Sequence, residues 1–402
     1  MPRARLLASE LLRASRAFPA LLLTGPRRAG KTTLLRASFP GASWQLLEEP
    51  DLVARVRADP QGFLDELRLP AILDEIQNAP ELLPYVRARI DRAPSQKGQW
   101  LMTGSQEAPL MQGVTESLAG RAATFQLLPF GIEESPRVSP LLGGFPEVVA
   151  RPRSAGLWFR SYVQTYLERD VRAVTGVRDL PTFRRFLAIL ATRTGTLLNR
   201  SELAGPLGVS VPTITSWLSV LEVTGEILVV PPWFENLGKR LVKSPKLYWM
   251  DSGLACHLLG IETTVDLERS PFLGAIWEGF VAAEIAKAQQ HRGRARELYW
   301  FRDQQGLEVD FLVPRGQWRA ALVEAKASRT ALPEMARPIQ RLRSAFQDRE
   351  ARDFVVHRPT GVPGSATRLP RTPTRDRDAG GVPVAPHVRA LDVGGLIRAL
   401  FH

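Results

Sequence analysis

The stretch LLLTGPRRAGKTTLLR, residues 21–36, constrains this chain more than any other. It holds Gly25, Gly30, Lys31 and Thr32 in the pattern G-x-x-x-x-G-K-T, behind an apolar run and ahead of a helix-forming one. A loop of this kind joins a strand to the N-terminus of a helix, which commits the region to an α/β fold with a parallel sheet. Gly25 and Gly30 let the backbone turn tightly enough for successive N–H groups to converge on phosphate oxygens. The helix N-terminus adds partial positive charge at the same spot. Gly25, Pro26, Arg27, Arg28, Ala29, Gly30, Lys31, Thr32 and Thr33 are therefore the candidates for holding a nucleotide. Lys31 would reach the β- and γ-phosphates, and Thr32 would coordinate Mg²⁺. A purely structural turn is the competing reading, and the flanking strand and helix count against it.

The runs ASWQLLE, PAILDEI, QWLMTGS and ATFQLLP then alternate with helical patterns as far as Phe130, as strands of one parallel sheet should. PAILDEI ends in two carboxylates. Asp74 is expected to hold Mg²⁺ and Glu75 to polarise an attacking water, against the alternative of two acids opening a helix. QWLMTGS ends in polar residues, so Thr103 or Ser105 is a candidate to contact the γ-phosphate or orient the water. Arg121, in SLAGRAATF, is a candidate for stabilising transition-state charge, in cis or across a subunit interface; a solvated arginine is the alternative. Ahead of the loop, residues 1–16 read as an amphipathic helix with Leu6, Leu7, Leu11 and Leu12 at helical spacing.

A length of 402 residues suggests two or three domains. The expected division is a P-loop domain over 1–150, a helical and winged-helix region over 151–260, and a smaller α/β domain over 261–402. Within the last, residues 358–381 are rich in Pro, Gly, Arg and Thr and are expected to be disordered. In the middle region, SELAGPLG and VPTITSWLSVLEVTG read as two helices about a turn, followed by strand-like EILVVPPW and KLYWMD. Ser210 should cap the second helix, with Thr213, Thr215 and Ser216 outward and Ile214, Leu218 and Leu221 inward. Outward hydroxyls suit DNA, yet that helix carries no Arg or Lys, so a structural or docking role stands beside it. The hairpin basic residues Lys239, Arg240, Lys243 and Lys246 are the better candidates for phosphate contact.

Charge bears on partners. Lys and Arg number 53 against 41 Asp and Glu, a formal +12, which favours DNA or another polyanion, although Arg-rich genome bias produces the same excess. The single cysteine, Cys256, excludes a disulfide framework and a Cys-rich metal site, and fits a reducing cytoplasm. The run Phe18–Leu23 is too short to span a membrane, and nothing else approaches about 18 uninterrupted apolar residues. No membrane partner is expected.

GPRRAGKTT, LDEIQ, TGS, LAGR and GGFPE, in this order and spacing, resemble a widespread family of prokaryotic AAA-type ATPases. Its members join a P-loop domain to a winged helix and to a C-terminal domain resembling restriction-endonuclease-like folds, of uncertain function. The resemblance covers nearly the whole chain. It implies ATP as the nucleotide and a bacterial or archaeal cytoplasm; a homo-oligomer or a protein partner is a separate expectation.

Nucleases of that superfamily place an acid on one strand and E-x-K on the next, with a Glu from a preceding helix. Asp310 in LEVDFLV, Glu324 and Lys326 in LVEAKAS, and Glu278 in AIWEGFVAAEI match that spacing. Glu278, Asp310 and Glu324 would bind a hard divalent cation, and Lys326 would act on the hydrolytic water. Glu324 and Lys326, two apart in a strand, share one face. Three readings remain open here: an active nuclease, a degenerate fold used only for binding, and an ordinary salt-bridged strand. The first makes the ATPase cycle regulate a DNA-processing domain; the other two leave an ATP-dependent switch with a docking module.

Overall fold

The protein was analysed as a computed structural model that describes residues 4–104, 117–167, 179–233, 244–315, 320–344, 352–359 and 381–402. The first part of the chain runs α1 (Leu7–Ser15), β1 (Ala20–Thr24), α2 (Lys31–Ser38), β2 (Ser43–Leu46), α3 (Pro50–Ala58) and α4 (Pro60–Asp65). It continues with β3 (Ala71–Asp74), α5 (Leu82–Arg92), β4 (Trp100–Thr103) and β5 (Ala122–Gln126). The strands form one sheet in the order β2-β3-β4-β1-β5, every pair parallel. Helices cover both faces, which is why β1 is an unbroken apolar run rather than an alternating one. Leu22 faces the cluster of Leu73, Met102, Leu82 and Val86, while Leu21 and Leu23 face Leu7, Leu11, Leu34 and Leu35. Of the apolar stripe expected on α1, Leu7 and Leu11 are buried and Leu6 and Leu12 face outward.

The middle part contains α6 (Pro146–Ala150), α7 (Ala155–Tyr162), α8 (Leu180–Thr192), β6 (Thr196–Leu197), α9 (Arg200–Ala204), α10 (Val211–Val223), β7 (Ile227–Val230), β8 (Lys246–Trp249), α11 (Ser252–Leu258) and α12 (Thr264–Arg269). The segment 200–207 and α10 are bent by 112° at their junction. Ser210 caps α10 by accepting from the Thr213 amide at 3.2 Å. Ile214, Leu218 and Leu221 are buried, and Thr215 and Ser216 are exposed. Strands β6, β8 and β7 make an antiparallel sheet beside these helices.

The last part holds α13 (Leu273–Gln290), β9 (Tyr299–Arg302), β10 (Glu308–Pro314), β11 (Ala320–Lys326), α14 (Arg337–Arg343), β12 (Asp353–His357), β13 (Val382–Ala385), β14 (Val388–Leu391) and α15 (Val393–Phe401). Its mixed sheet runs β13-β14-β12-β11-β10-β9. Of the segment expected to be disordered, residues 360–380 lie outside the described ones, as do Lys239, Arg240 and Lys243.

Helix α13 joins the parts. It is apolar nearly all round, the pattern of a helix buried on every side. Its neighbours are Phe311, Val323 and Phe354 of the mixed sheet, Tyr248 of β8, and Leu128, Phe130 and Val149. Two charged side chains on it are also buried, and both are paired. Glu284 accepts from the Ile132 amide at 2.6 Å, and Lys287 donates to Glu284 at 2.9 Å and to the Phe130 carbonyl at 3.3 Å. Backbone bonds between Trp300 and the 231–233 segment tie the middle part to β9: Trp233 N–H donates to Trp300 O at 2.7 Å, and Trp300 N–H to Pro231 O at 3.1 Å. Among the described residues no single helix is long and apolar enough to cross a membrane.

Candidate functional site

Because the five-stranded sheet is parallel, the carboxyl ends of β1, β3 and β4 share one edge, and three of the predicted motifs lie there. After β1 the chain turns at Gly25 (φ 133°), Arg28 (φ 62°) and Gly30 (φ 97°) before entering α2 at Lys31. Gly25 is fixed by space as well as by conformation: a Cβ there would lie 2.1 Å from the Leu127 carbonyl oxygen. The Lys31 ammonium is buried and donates to the Gly25 and Pro26 carbonyls at 3.0 and 3.1 Å, so it spans the loop from inside.

Asp74 closes β3 and is 2% exposed. One carboxylate oxygen accepts from the Thr32 hydroxyl at 2.9 Å and from the Thr103 hydroxyl; the other accepts from Trp44 Nε1 at 3.2 Å. Thr103 Oγ1 in turn accepts from the Glu75 amide at 3.0 Å. Glu75 sits in the left-handed region (φ 58°, ψ 52°), a conformation that bends the chain away from the strand. Gln77 Nε2 reaches the Glu75 carboxylate at 2.5 Å. Thr103 is fully buried and turned toward Asp74, so it positions two acids rather than facing a phosphate. Ser105 lies outside the described residues.

The donor set suits Mg²⁺. Thr32 Oγ1 and Asp74 Oδ1 are adjacent oxygens beside Lys31, of the hard kind this ion takes. Alongside, between α1, α2 and the segment 130–150, a cavity of about 660 Å³ is lined by apolar groups such as Leu12, Leu34, Pro146 and Val149, with Arg5 and Arg137 at its wall. That volume is in the range of small-ligand pockets.

Arg121 lies away from the phosphate loop of its own chain, which leaves of its expected roles the one across a subunit interface and the solvated arginine. It precedes β5, so it lies at the amino edge of the sheet, where its guanidinium pairs with Asp91 at 2.5 Å. The length of β1 separates it from the phosphate loop, roughly 15 Å at about 3.3 Å per residue. It cannot serve the loop of its own chain.

Several residues around the loop have no local signal in the sequence. The Tyr162 hydroxyl lies 2.6 Å from Glu226 Oε1 and 3.4 Å from the Arg27 carbonyl oxygen, and Gly225 approaches Pro26. Arg5 donates to the Ala29 and Leu128 carbonyls at 3.1 and 2.6 Å and to Glu134 at 3.0 Å. His291, at the end of α13, bonds the other Glu134 oxygen at 3.1 Å. Burial alone would raise the Glu134 carboxyl, but His291, Arg5 and the Leu6 amide outweigh it and bring it down to about 2.

In the C-terminal part, β10 and β11 bring Asp310, Glu324 and Lys326 together, and α13 adds Glu278. Asp310 Oδ2 accepts from the Ala325 amide at 2.8 Å. Lys326 donates to Glu324 Oε1 at 2.5 Å, while Glu324 Oε2 is buried with no hydrogen-bond partner. Burial first, then Glu278 and Glu324, push the Asp310 carboxyl well above the usual range. Burial also raises Glu324 against the pull of Lys326. Glu278 is held by β8: Lys246 donates to its Oε1 at 3.0 Å and Tyr248 OH at 2.5 Å. The expectation that Lys246 contacts phosphate is thereby corrected, since its buried ammonium also pairs with Glu308 at 2.5 Å. Glu278, Asp310 and Glu324 are thus each held by a different partner, and among the described residues no three acidic, His or Cys side chains are gathered as a ligand set.

Comparison with known proteins matches three stretches of the chain to family models. Residues 17–135 match the family described as an AAA domain, 139–265 a domain of unknown function (DUF8612), and 273–365 another (DUF4143). The uncharacterized proteins Rv2008c of Mycobacterium tuberculosis and Mb2031c of Mycobacterium bovis are each 37% identical over 349 residues, covering 85% of this chain and 76% of theirs. The Walker-type ATPase PABY2304 of Pyrococcus abyssi aligns over 63% of this chain and 94% of its own, at 19% identity and a TM-score of 0.39.

Proposed function

The chain belongs to the family of these mycobacterial proteins and carries an AAA-type ATPase domain, and on that footing we propose that it binds and hydrolyses ATP with Mg²⁺. The observation that carries this reading is the network Thr32–Asp74–Thr103–Glu75 at the strand edge beside Lys31. The loop amides and Lys31 hold the β- and γ-phosphates, and the cavity beside α2 takes the base. Thr32 and Asp74 hold Mg²⁺, which when bound supplies charge neutralisation on the phosphates. Glu75, set at an angle to β3 by its left-handed backbone, accepts a proton from the attacking water. Lys31→Ala should abolish ATP binding, whereas Glu75→Gln should bind ATP and stall hydrolysis. Normal turnover in Glu75→Gln would move the base elsewhere.

For the rest of the molecule, the bent helix pair with its adjoining antiparallel strands supports a winged helix, and the basic charge supports DNA as a partner. Asp310, Glu324 and Lys326 on neighbouring strands, with Glu278 beside them on α13, support a nuclease-like site; on that reading the three acids would draw together around a cation and Lys326 would act on water. On this reading the ATPase cycle regulates or positions that site. Binding to duplex or single strands should weaken steeply with salt as basic side chains release counterions. Absence of DNA binding at low salt would favour the second reading, an ATP-dependent switch whose C-terminal part only docks partners. The separately paired carboxylates favour that second reading.

A further inference from the structure

The acid cluster obtains its second lysine from another domain. Asp310, Glu324 and Lys326 stand on the mixed sheet, and Glu278 stands on α13 against it. Lys246 and Tyr248 belong to β8 of the three-stranded sheet. The Lys246 ammonium lies between Glu278 Oε1 at 3.0 Å and Glu308 Oε1 at 2.5 Å, and over the face of Trp300 at 5.3 Å. Its side chain is 6% exposed. A buried ammonium between two carboxylates does the electrostatic work of a bound cation. Meanwhile the buried Glu324 Oε2, in the same cluster, has no hydrogen-bond partner, which is costly unless something else satisfies it.

We propose that Lys246 is a built-in counter-ion that keeps this carboxylate cluster closed to divalent metal, and that metal enters only when Lys246 withdraws. The proposal rests on the reading of the cluster as a cation site. Three physical arguments support it. A divalent ion beside a fixed, buried ammonium meets repulsion that water screens only in part. Withdrawal of the lysine leaves Glu278 without its cation and Glu308 with only Arg302 at 3.7 Å, a state that bound metal would relieve. A third argument concerns where Lys246 is anchored. Strand β8 pairs with β7, and β7 begins directly after Glu226, whose carboxylate is bonded to the Tyr162 hydroxyl beside the phosphate loop. The lock is thus built into the domain that touches the nucleotide loop.

The test is calorimetric titration of the nucleotide-free full chain with Mn²⁺. Lys246→Met and Lys246→Gln are compared with wild type, the glutamine keeping an N–H donor for Glu278 without the charge, so that either variant suffices if the other fails to fold. Both should bind Mn²⁺ at least about tenfold more tightly than wild type, as loss of a neighbouring positive charge requires. The gain should vanish when Glu324→Gln is added, and Lys246→Arg should behave as wild type. If wild type already binds Mn²⁺ in a Glu324-dependent way and the neutral variants bind no tighter, the lock is refuted while the cation site stands. If no protein shows Glu324-dependent binding, the cation-site reading itself is refuted, and the lock with it.

Discussion

Replacing Thr103 by valine tests whether the strand edge works as a positioning device. The two side chains are nearly isosteric, so the change removes only the hydroxyl. That hydroxyl donates to Asp74 and accepts from the Glu75 amide at 3.0 Å, in a position with no solvent exposure. Leaving a buried polar partner unsatisfied costs about 1–3 kcal/mol. Glu75 meanwhile holds a left-handed backbone, which for a residue with a side chain costs about 1–2 kcal/mol. With its amide bond gone, Glu75 has reason to relax toward ordinary backbone angles and carry its carboxylate away from the water it serves. A loss of about 1.4–2.8 kcal/mol in the productive arrangement is a fall of about 10- to 100-fold in kcat. Phosphate contacts through the loop and Lys31 are untouched, so KM for ATP should change by less than about threefold. Thr103→Ser restores the hydroxyl and should recover most of the rate. The assay is steady-state phosphate release with Mg²⁺-ATP, with urea unfolding alongside to measure the expected stability loss of about 1–3 kcal/mol. Wild-type kcat in a folded Thr103→Val protein would refute the positioning argument.

Gly25→Ala should weaken ATP binding at least about tenfold, because the new Cβ meets the Leu127 carbonyl at 2.1 Å and the loop must shift to relieve it; equilibrium binding of a fluorescent ATP analogue reads this. Arg121→Ala should leave turnover within about twofold at concentrations where the chain is monomeric, its ion pair with Asp91 being an exposed one of small worth; a larger drop there would return Arg121 to the catalytic site. Acid should loosen the join between α1, the segment after β5 and α13. The Glu134 carboxyl is depressed to about 2, so its stabilisation, about 3 kcal/mol, is complete above the ordinary carboxylate range and is lost as pH falls from about 4.5 toward 2. Burial lowers the His291 pKa, so the fold favours its neutral form, and that contribution begins to fade already below about pH 6.5. Urea midpoints measured across this range should fall in both steps, and Glu134→Gln should lack the lower one.

The phosphate loop was legible because its requirements are local. Gly25 and Gly30 at fixed spacing, an apolar run before them and a helix former after them specify strand, turn and helix without reference to the rest of the chain. Asp74 and Glu75 followed from the same logic, since an apolar run ending in acids places them at a carboxyl edge once the sheet is parallel. The strands LEVDFLV and LVEAKAS were equally readable from their apolar runs, whereas the meeting of Asp310 with Glu324 was what the resemblance to nucleases implied. For Arg121 the sequence carried a signal against the role in cis: a residue just before a parallel strand stands at the edge away from the loop.

Other parts had no local code. Trp44 reaches Asp74 only because β2 lies next to β3, and Tyr162 and Glu226 reach the loop from the middle part of the chain. Lys246 looked like one more basic residue of a hairpin, and its sequence neighbourhood, KSPK, gives no hint of an acid. Packing of α13 against both sheets brings Glu278 to it and buries the ammonium, and burial turns a solvated lysine into the counter-ion of a carboxylate cluster. Sequence determined which chemical groups each strand end presents, because spacing along a chain fixes which side chains share a face or an edge. Tertiary structure decided which cation each buried carboxylate is held by, because that depends on which surfaces meet once water is excluded.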